Sequence, residues 1–249
     1  MSLVTFFGCL LVAYGPILSI FFLYIGQNAQ YVLLMVSSAF FCLIALLISS
    51  VIWYFAKAAQ SIHPASIAYS ITVQEIFRWF FFLLLRHSEA GLNVVSANPQ
   101  SPFNQSTFSF VTGYGYALTT TLVSYISLLV ESIGPGVIMC PSCPQATTFF
   151  ISAVTTTLFS LLHIIWMMIA FEGFSNIRKP AGAARVIWVI VSHFGASYAT
   201  LLNGSETIKY GCVYAIIVCV VILSISISLV AYSLKSRFKL AHISHPHSS

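Results

Sequence analysis

Five side chains in this sequence could do chemistry: Gln74, Glu75 and Arg78 in QEIFRWFFFLLL, His163 in LLHIIW, and His193 in SHFGAS. A carboxylate near imidazoles is the material of general acid and base catalysis. The same groups also make a buried ion pair closed by hydrogen bonds, and Glu75 and Arg78, three apart on one helical face, suit that use. Each sits in a run apolar enough for lipid, where one charged side chain costs roughly 2.5–3.5 kcal/mol, so all five are expected to face protein. At a rise of about 1.5 Å per residue, Arg78 lies about 12 Å and Glu75 about 16 Å from the end marked by Arg86. His163 and His193 lie about 10–13 Å from that same end. One layer can therefore hold them, as a polar cluster or wet cavity in the cytoplasmic half that supports the bundle or receives a partner helix.

The elements that must position them are helices. Of 249 residues, 59% are hydrophobic and 6% charged, whereas a soluble domain is about a quarter charged. Seven runs near the ~20 residues that span a bilayer cover residues 3–25, 31–55, 67–85, 108–130, 147–171, 186–202 and 210–234. They are continuously apolar, which argues against a barrel. The expectation is an all-α membrane protein, a single seven-helix transmembrane domain over residues 1–249. The first run has no basic flank and no small-residue cleavage site, and reads as a signal-anchor helix.

Basic residues accumulate in cytoplasmic loops. With the N-terminus outside, Arg86, Arg178, Lys179, Arg185, Lys235, Arg237 and Lys239 share one side, and only Lys57 and Lys209 fall on the other. The N-terminus is then lumenal or extracellular and the C-terminus cytoplasmic. The net charge of +5 reflects that topology and not nucleic-acid binding.

Within the fourth run, Gly113, Ala117 and Thr121 recur every fourth residue and Ser124 continues the line. Such a ridge of small side chains lets a neighbouring helix approach closely. Gly134-Pro135-Gly136 should end this segment, and Gly15-Pro16 should loosen the first unless a neighbour satisfies the freed carbonyl. Residues 87–107 read as a polar loop broken by Asn98-Pro99 and Ser101-Pro102. Its sequon, Asn104-Gln105-Ser106, would stay unmodified in the cytoplasm, and Asn203-Gly204-Ser205 is outside but close to the membrane. Residues 235–249 read as a short basic, disordered tail. Cys9, Cys42, Cys212 and Cys219 behave as small hydrophobes within spans. Cys140 and Cys143, in CPSCP on the outer, oxidising side, are a disulfide or two free thiols.

The chain contains no Asp, so it lacks the paired aspartates of a membrane aspartyl protease. No HExxH or GxSxG motif occurs, and nothing calls for a metal or cofactor.

Read in order, FFGCLLVAYGP (6–16), QEIFRWFFFLLL (74–85), GPG (134–136), LLHIIW (161–166) and SHFGAS (192–197) resemble the anterior pharynx defective (Aph) family, a subunit of gamma-secretase. The resemblance implies a seven-helix, non-catalytic scaffold holding nicastrin, presenilin and the presenilin enhancer. It also implies residence in endoplasmic reticulum, Golgi and plasma membrane, and a part in Notch signalling. The family's glycine zipper falls on Gly113, Ala117 and Thr121, and its two intramembrane histidines on His163 and His193. A second resemblance, to intramembrane glutamyl proteases of the prenyl-processing type, rests on Glu75 with Arg78, Phe159 before His163, and Ser197 after His193. In that reading Glu75, His163 and His193 would be catalytic, but the first paired Glu is Gln74 and the expected Asn is Ser197.

Overall fold

Hydrocarbon offers no hydrogen-bond partners, so a chain this apolar must satisfy its backbone inside helices. The computed structural model describes residues 3–60, 62–95, 104–134 and 136–244. Its helices are α1 (Leu3–Leu23), α2 (Ala29–Phe55), the one-turn α3 (Lys57–Gln60), α4 (His63–Val95), α5 (Asn104–Glu131), α6 (Thr148–Ser175), α7 (Pro180–Ala199) and α8 (Gly211–Ser244). Six of the seven long helices, all but α5, are long and apolar enough to cross a membrane. This is an all-α membrane bundle, as expected.

The exception, α5, carries Thr, Ser, Gly and Tyr where the others carry Leu and Ile. From Phe108 to Ala117 all its residues except Phe110 are buried, so its polar groups meet protein and not lipid. Many hydroxyls return to their own backbone: Thr121 Oγ1 donates to the Ala117 carbonyl at 2.7 Å and Thr119 Oγ1 to that of Gly115 at 3.0 Å. Others tie helices together. Ser38 on α2 donates to the Thr112 carbonyl at 2.9 Å, and Tyr114 donates to that of Ile17 on α1 at 3.0 Å.

Small residues set the spacing on two faces of α5. A Cβ on Gly113 would lie 2.8 Å from the Ile164 carbonyl oxygen on α6. One on Gly115 would collide with the Met35 carbonyl and Ser38 Oγ on α2. Gly113, Ala117 and Thr121 are buried as the seam requires, but Ser124 is exposed and does not extend it.

The chain stays helical through Pro16. The carbonyl of Val12, which the proline cannot serve, accepts Thr157 Oγ1 from α6. Helix α4 runs on to Val95 through much of the segment expected to be loop. Its polar residues beyond Arg86 carry no helix breaker except Gly91, which costs only about 1 kcal/mol. Helix α8 likewise continues to Ser244, so residues 235–244 are helical and not a disordered tail. Asn98-Pro99, Ser101-Pro102, Pro135 and residues 245–249 lie outside the described residues.

At one end of the bundle, β1 (Met139–Cys140) and β2 (Cys143–Thr147) form a small antiparallel hairpin. Of the two alternatives for Cys140 and Cys143, a mutual disulfide or two free thiols, neither is observed: Cys143 bonds Cys212, read from the sequence as a small hydrophobe within a span, with Cα atoms 6.2 Å apart. The reason lies in α8: Cys212 occupies its first turn, not its apolar middle, and the hairpin folds over that turn. Ser142 fixes the contact. Its carbonyl accepts Tyr210 N–H at 2.9 Å and its Oγ accepts Cys212 N–H at 3.0 Å. Tyr210 pays for this turn with a φ of 62°, unusual for a bulky residue. Cys140 remains a buried thiol donating to the Asn203 carbonyl at 3.3 Å.

Candidate functional site

Glu75 and Arg78 leave the same face of α4, His163 comes from α6, and His193 from α7. They meet. Arg78 Nη1 lies 2.8 Å from Glu75 Oε1 and 3.0 Å from Oε2. His193 Nδ1 lies 2.7 Å from Glu75 Oε1, and Arg78 Nη2 donates to His163 Nδ1 at 3.3 Å. The side chains are 0% (Arg78), 11% (Glu75) and 3% (His193) exposed. His163 is also buried.

Donor and acceptor rules fix the hydrogens. A guanidinium can only donate, so His163 Nδ1 accepts; an ionised carboxylate can only accept, so His193 Nδ1 carries a hydrogen. The four groups therefore form one chain from α6 through α4 to α7, with Glu75 and Arg78 cancelling each other's charge. Such bonds gain strength where water is excluded.

Aromatic rings enclose this chain. Trp166 lies against His193 with centroids 4.5 Å apart, the two imidazoles meet edge to face at 5.2 Å, and the Arg78 guanidinium sits 5.9 Å from the Tyr116 ring centre. The depth argument finds the four polar partners but misses Trp166 and Tyr116. For Trp166 a signal was present, because a residue three after His163 shares its helical face. Gln74 is buried but does not join the chain: its Nε2 reaches Ser70 Oγ at 3.4 Å, and its Oε1 has no partner among the described residues.

Two hollows flank the cluster. A cavity of about 530 Å³ leads from Asn203, Thr200 and Ser152 near the hairpin to Gln74, His163 and His193, with several hydroxyls along its wall. It extends from the cluster toward the hairpin end. On the other side an apolar groove of about 290 Å³, lined by Ile76, Trp79 and Phe194, reaches Glu75.

Here both Glu75 oxygens accept from Arg78 and one also from His193. The arrangement is suited to clamping three helices together. Fold and cluster define a polytopic helical membrane protein with a self-neutralised ionic core.

The family model described as Aph-1 protein matches residues 4–233. The chain belongs to that family. It is 29% identical over 207 residues to the fruit fly (Drosophila melanogaster) gamma-secretase subunit Aph-1, covering 83% of this chain and 84% of the fly protein. It is 29% identical over 213 residues to gamma-secretase subunit Aph-1b of Danio rerio, covering 82% and 80%. With the human (Homo sapiens) gamma-secretase subunit APH-1B it shares 27% over 230 residues, covering 88% and 86%.

Proposed function

We propose that this chain is the Aph-1 subunit of a gamma-secretase complex, a non-catalytic membrane scaffold that assembles with presenilin, nicastrin and the presenilin enhancer. In this role it stabilises the intramembrane protease that processes membrane-protein substrates, in endoplasmic reticulum, Golgi and plasma membrane. The observation that carries the reading is the family match, unbroken from residue 4 to residue 233, which includes all or most of every long helix. The bonds by which Glu75 links Arg78 on its own helix to His193 on α7 support a structural role. In this reading Gly113, Ala117 and Thr121 serve assembly, and Gln74, Glu75, Arg78, His163 and His193 hold the interior. The N-terminus is lumenal or extracellular. A disulfide at the hairpin end fits an oxidising compartment there, and most basic residues fall at the other end.

Co-purification from native membranes in mild detergent tests this. Presenilin and nicastrin are expected to come down with the tagged chain in near-equal amounts. Failure to recover them would remove the reading. So would turnover of a prenylated peptide by the isolated chain, if Glu75→Gln abolished it.

A further inference from the structure

Three sulfurs meet where the hairpin covers the start of α8. Cys143 and Cys212 form the disulfide, Cys140 is a free thiol 2% exposed, and all three lie in one buried cluster with Ile151. Cys140 and Cys143 are also direct partners across the hairpin. Residues facing each other in antiparallel strands have Cα atoms about 4.5–5.5 Å apart, inside the ~4.4–6.8 Å that a disulfide spans. Cys143 is thus placed to bond with either neighbour. Ser142 stands among the sulfurs, its Oγ 3.6 Å from Cys140 Sγ and 4.0 Å from Cys143 Sγ.

We propose that this cluster is a thiol–disulfide exchange site, in which Cys140 takes Cys143 from Cys212 and converts a staple between hairpin and helix into a bond within the hairpin. The Cys140 thiol gives up its proton and the thiolate attacks Cys143 Sγ. The Cys143–Cys212 bond breaks, and Cys212 leaves as a thiolate that takes up a proton. One disulfide and one thiol exist before and after, so no oxidant or reductant is consumed.

The consequence reaches the large cavity. In the observed state Cys140 and Ser142 both donate to the Asn203 carbonyl, at 3.3 Å and 3.1 Å, and Asn203 lines the cavity at the hairpin end. Exchange withdraws the Cys140 bond and removes the covalent tie between the hairpin and the first turn of α8, leaving the two Ser142 hydrogen bonds to hold them. It therefore loosens the wall of the hollow that leads to His163 and His193.

The test uses the full-length protein in detergent, incubated at pH 8.5, quenched in acid, denatured, alkylated with N-ethylmaleimide and mapped by mass spectrometry without reduction. At the start the label is expected on Cys140, with Cys9, Cys42 and Cys219 as internal standards. With time it moves to Cys212 as a Cys140–Cys143 peptide appears. Cys140→Ser is expected to keep label off Cys212. Label that stays on Cys140 in the unaltered protein would overturn the proposal, with no variant needed. Equal labelling of Cys212 in Cys140→Ser would overturn it as well.

Discussion

Glu75 is the residue on which the cluster turns, because it accepts from its own helix through Arg78 and from α7 through His193. In Glu75→Gln an amide faces a guanidinium that is 0% exposed. An uncompensated buried charge costs about 3–5 kcal/mol, so the thermal midpoint in detergent is expected to fall steeply. Glu75→Gln combined with Arg78→Met removes both charges and should recover much of that loss, since buried ion pairs are often replaceable by apolar volume. A Glu75→Gln protein that melts with the unaltered one would show that the pair carries no structural weight. His163→Ala takes an acceptor from Arg78, and hydrogen bonds to charged groups contribute about 1.5–3 kcal/mol. His163→Gln restores an acceptor, and partial rescue of the midpoint is the expected outcome. A glutamine variant no better than alanine would assign His163 to packing alone.

At the scale of helices, α5 is held by close approach on one side to α6 at Gly113 and on another to α2 at Gly115. Gly115→Val puts atoms where the Met35 carbonyl and Ser38 lie, and overpacking of this kind costs about 1–3 kcal/mol. Ser124→Val, on an exposed position, should leave the melting temperature within error. Equal effects would mean that the α2–α5 distance is not set by the glycine. Thr157→Val is expected to loosen α1 by about 0.6 kcal/mol, a usual interhelical bond in membranes, because the Val12 carbonyl left open by Pro16 loses its donor. Hydrogen exchange at residues 12–16 would report it. The seven helices and the layer holding Glu75, Arg78, His163 and His193 were legible because apolar runs and helical rise are local properties. Gly115 was not, since a search for residues four apart follows one face and Gly115 points from another. The loop expected after Arg86 failed for a related reason: polarity marks where lipid ends, and a helix ends only where its backbone is broken. The Cys143–Cys212 link joins residues 69 apart, and no spacing rule says which span ends meet.

For the molecule as a whole the decisive quantity is sidedness, because it assigns the hairpin, its disulfide and the large cavity to one compartment. Among described residues the hairpin end carries Lys57 and Lys209, while the opposite end carries Arg86, Arg178, Lys179, Arg185, Lys235 and Arg237. In the orientation proposed above, which rests on the excess of Lys and Arg in cytoplasmic loops, that second end is the inner one. The hairpin, cavity and Asn203 then face out. Glycosylation alone is a weak probe of this. In that orientation Asn104 opens α5 at the inner end, and the outer Asn203 is partly buried in a short 3-10 turn whose backbone is tied down by Cys140 and Ser142 at its carbonyl. Endoglycosidase is therefore expected to leave the gel mobility unchanged. A stronger test uses the fact that the free cysteines Cys9, Cys42, Cys140 and Cys219 are all buried, which keeps background labelling low. On intact cells a membrane-impermeant maleimide should label Glu206→Cys, an exposed position between α7 and α8. It should reach Lys179→Cys, exposed between α6 and α7, only after permeabilisation. The reverse pattern would invert the molecule, put the disulfide in a reducing compartment, and remove the physical basis for its persistence.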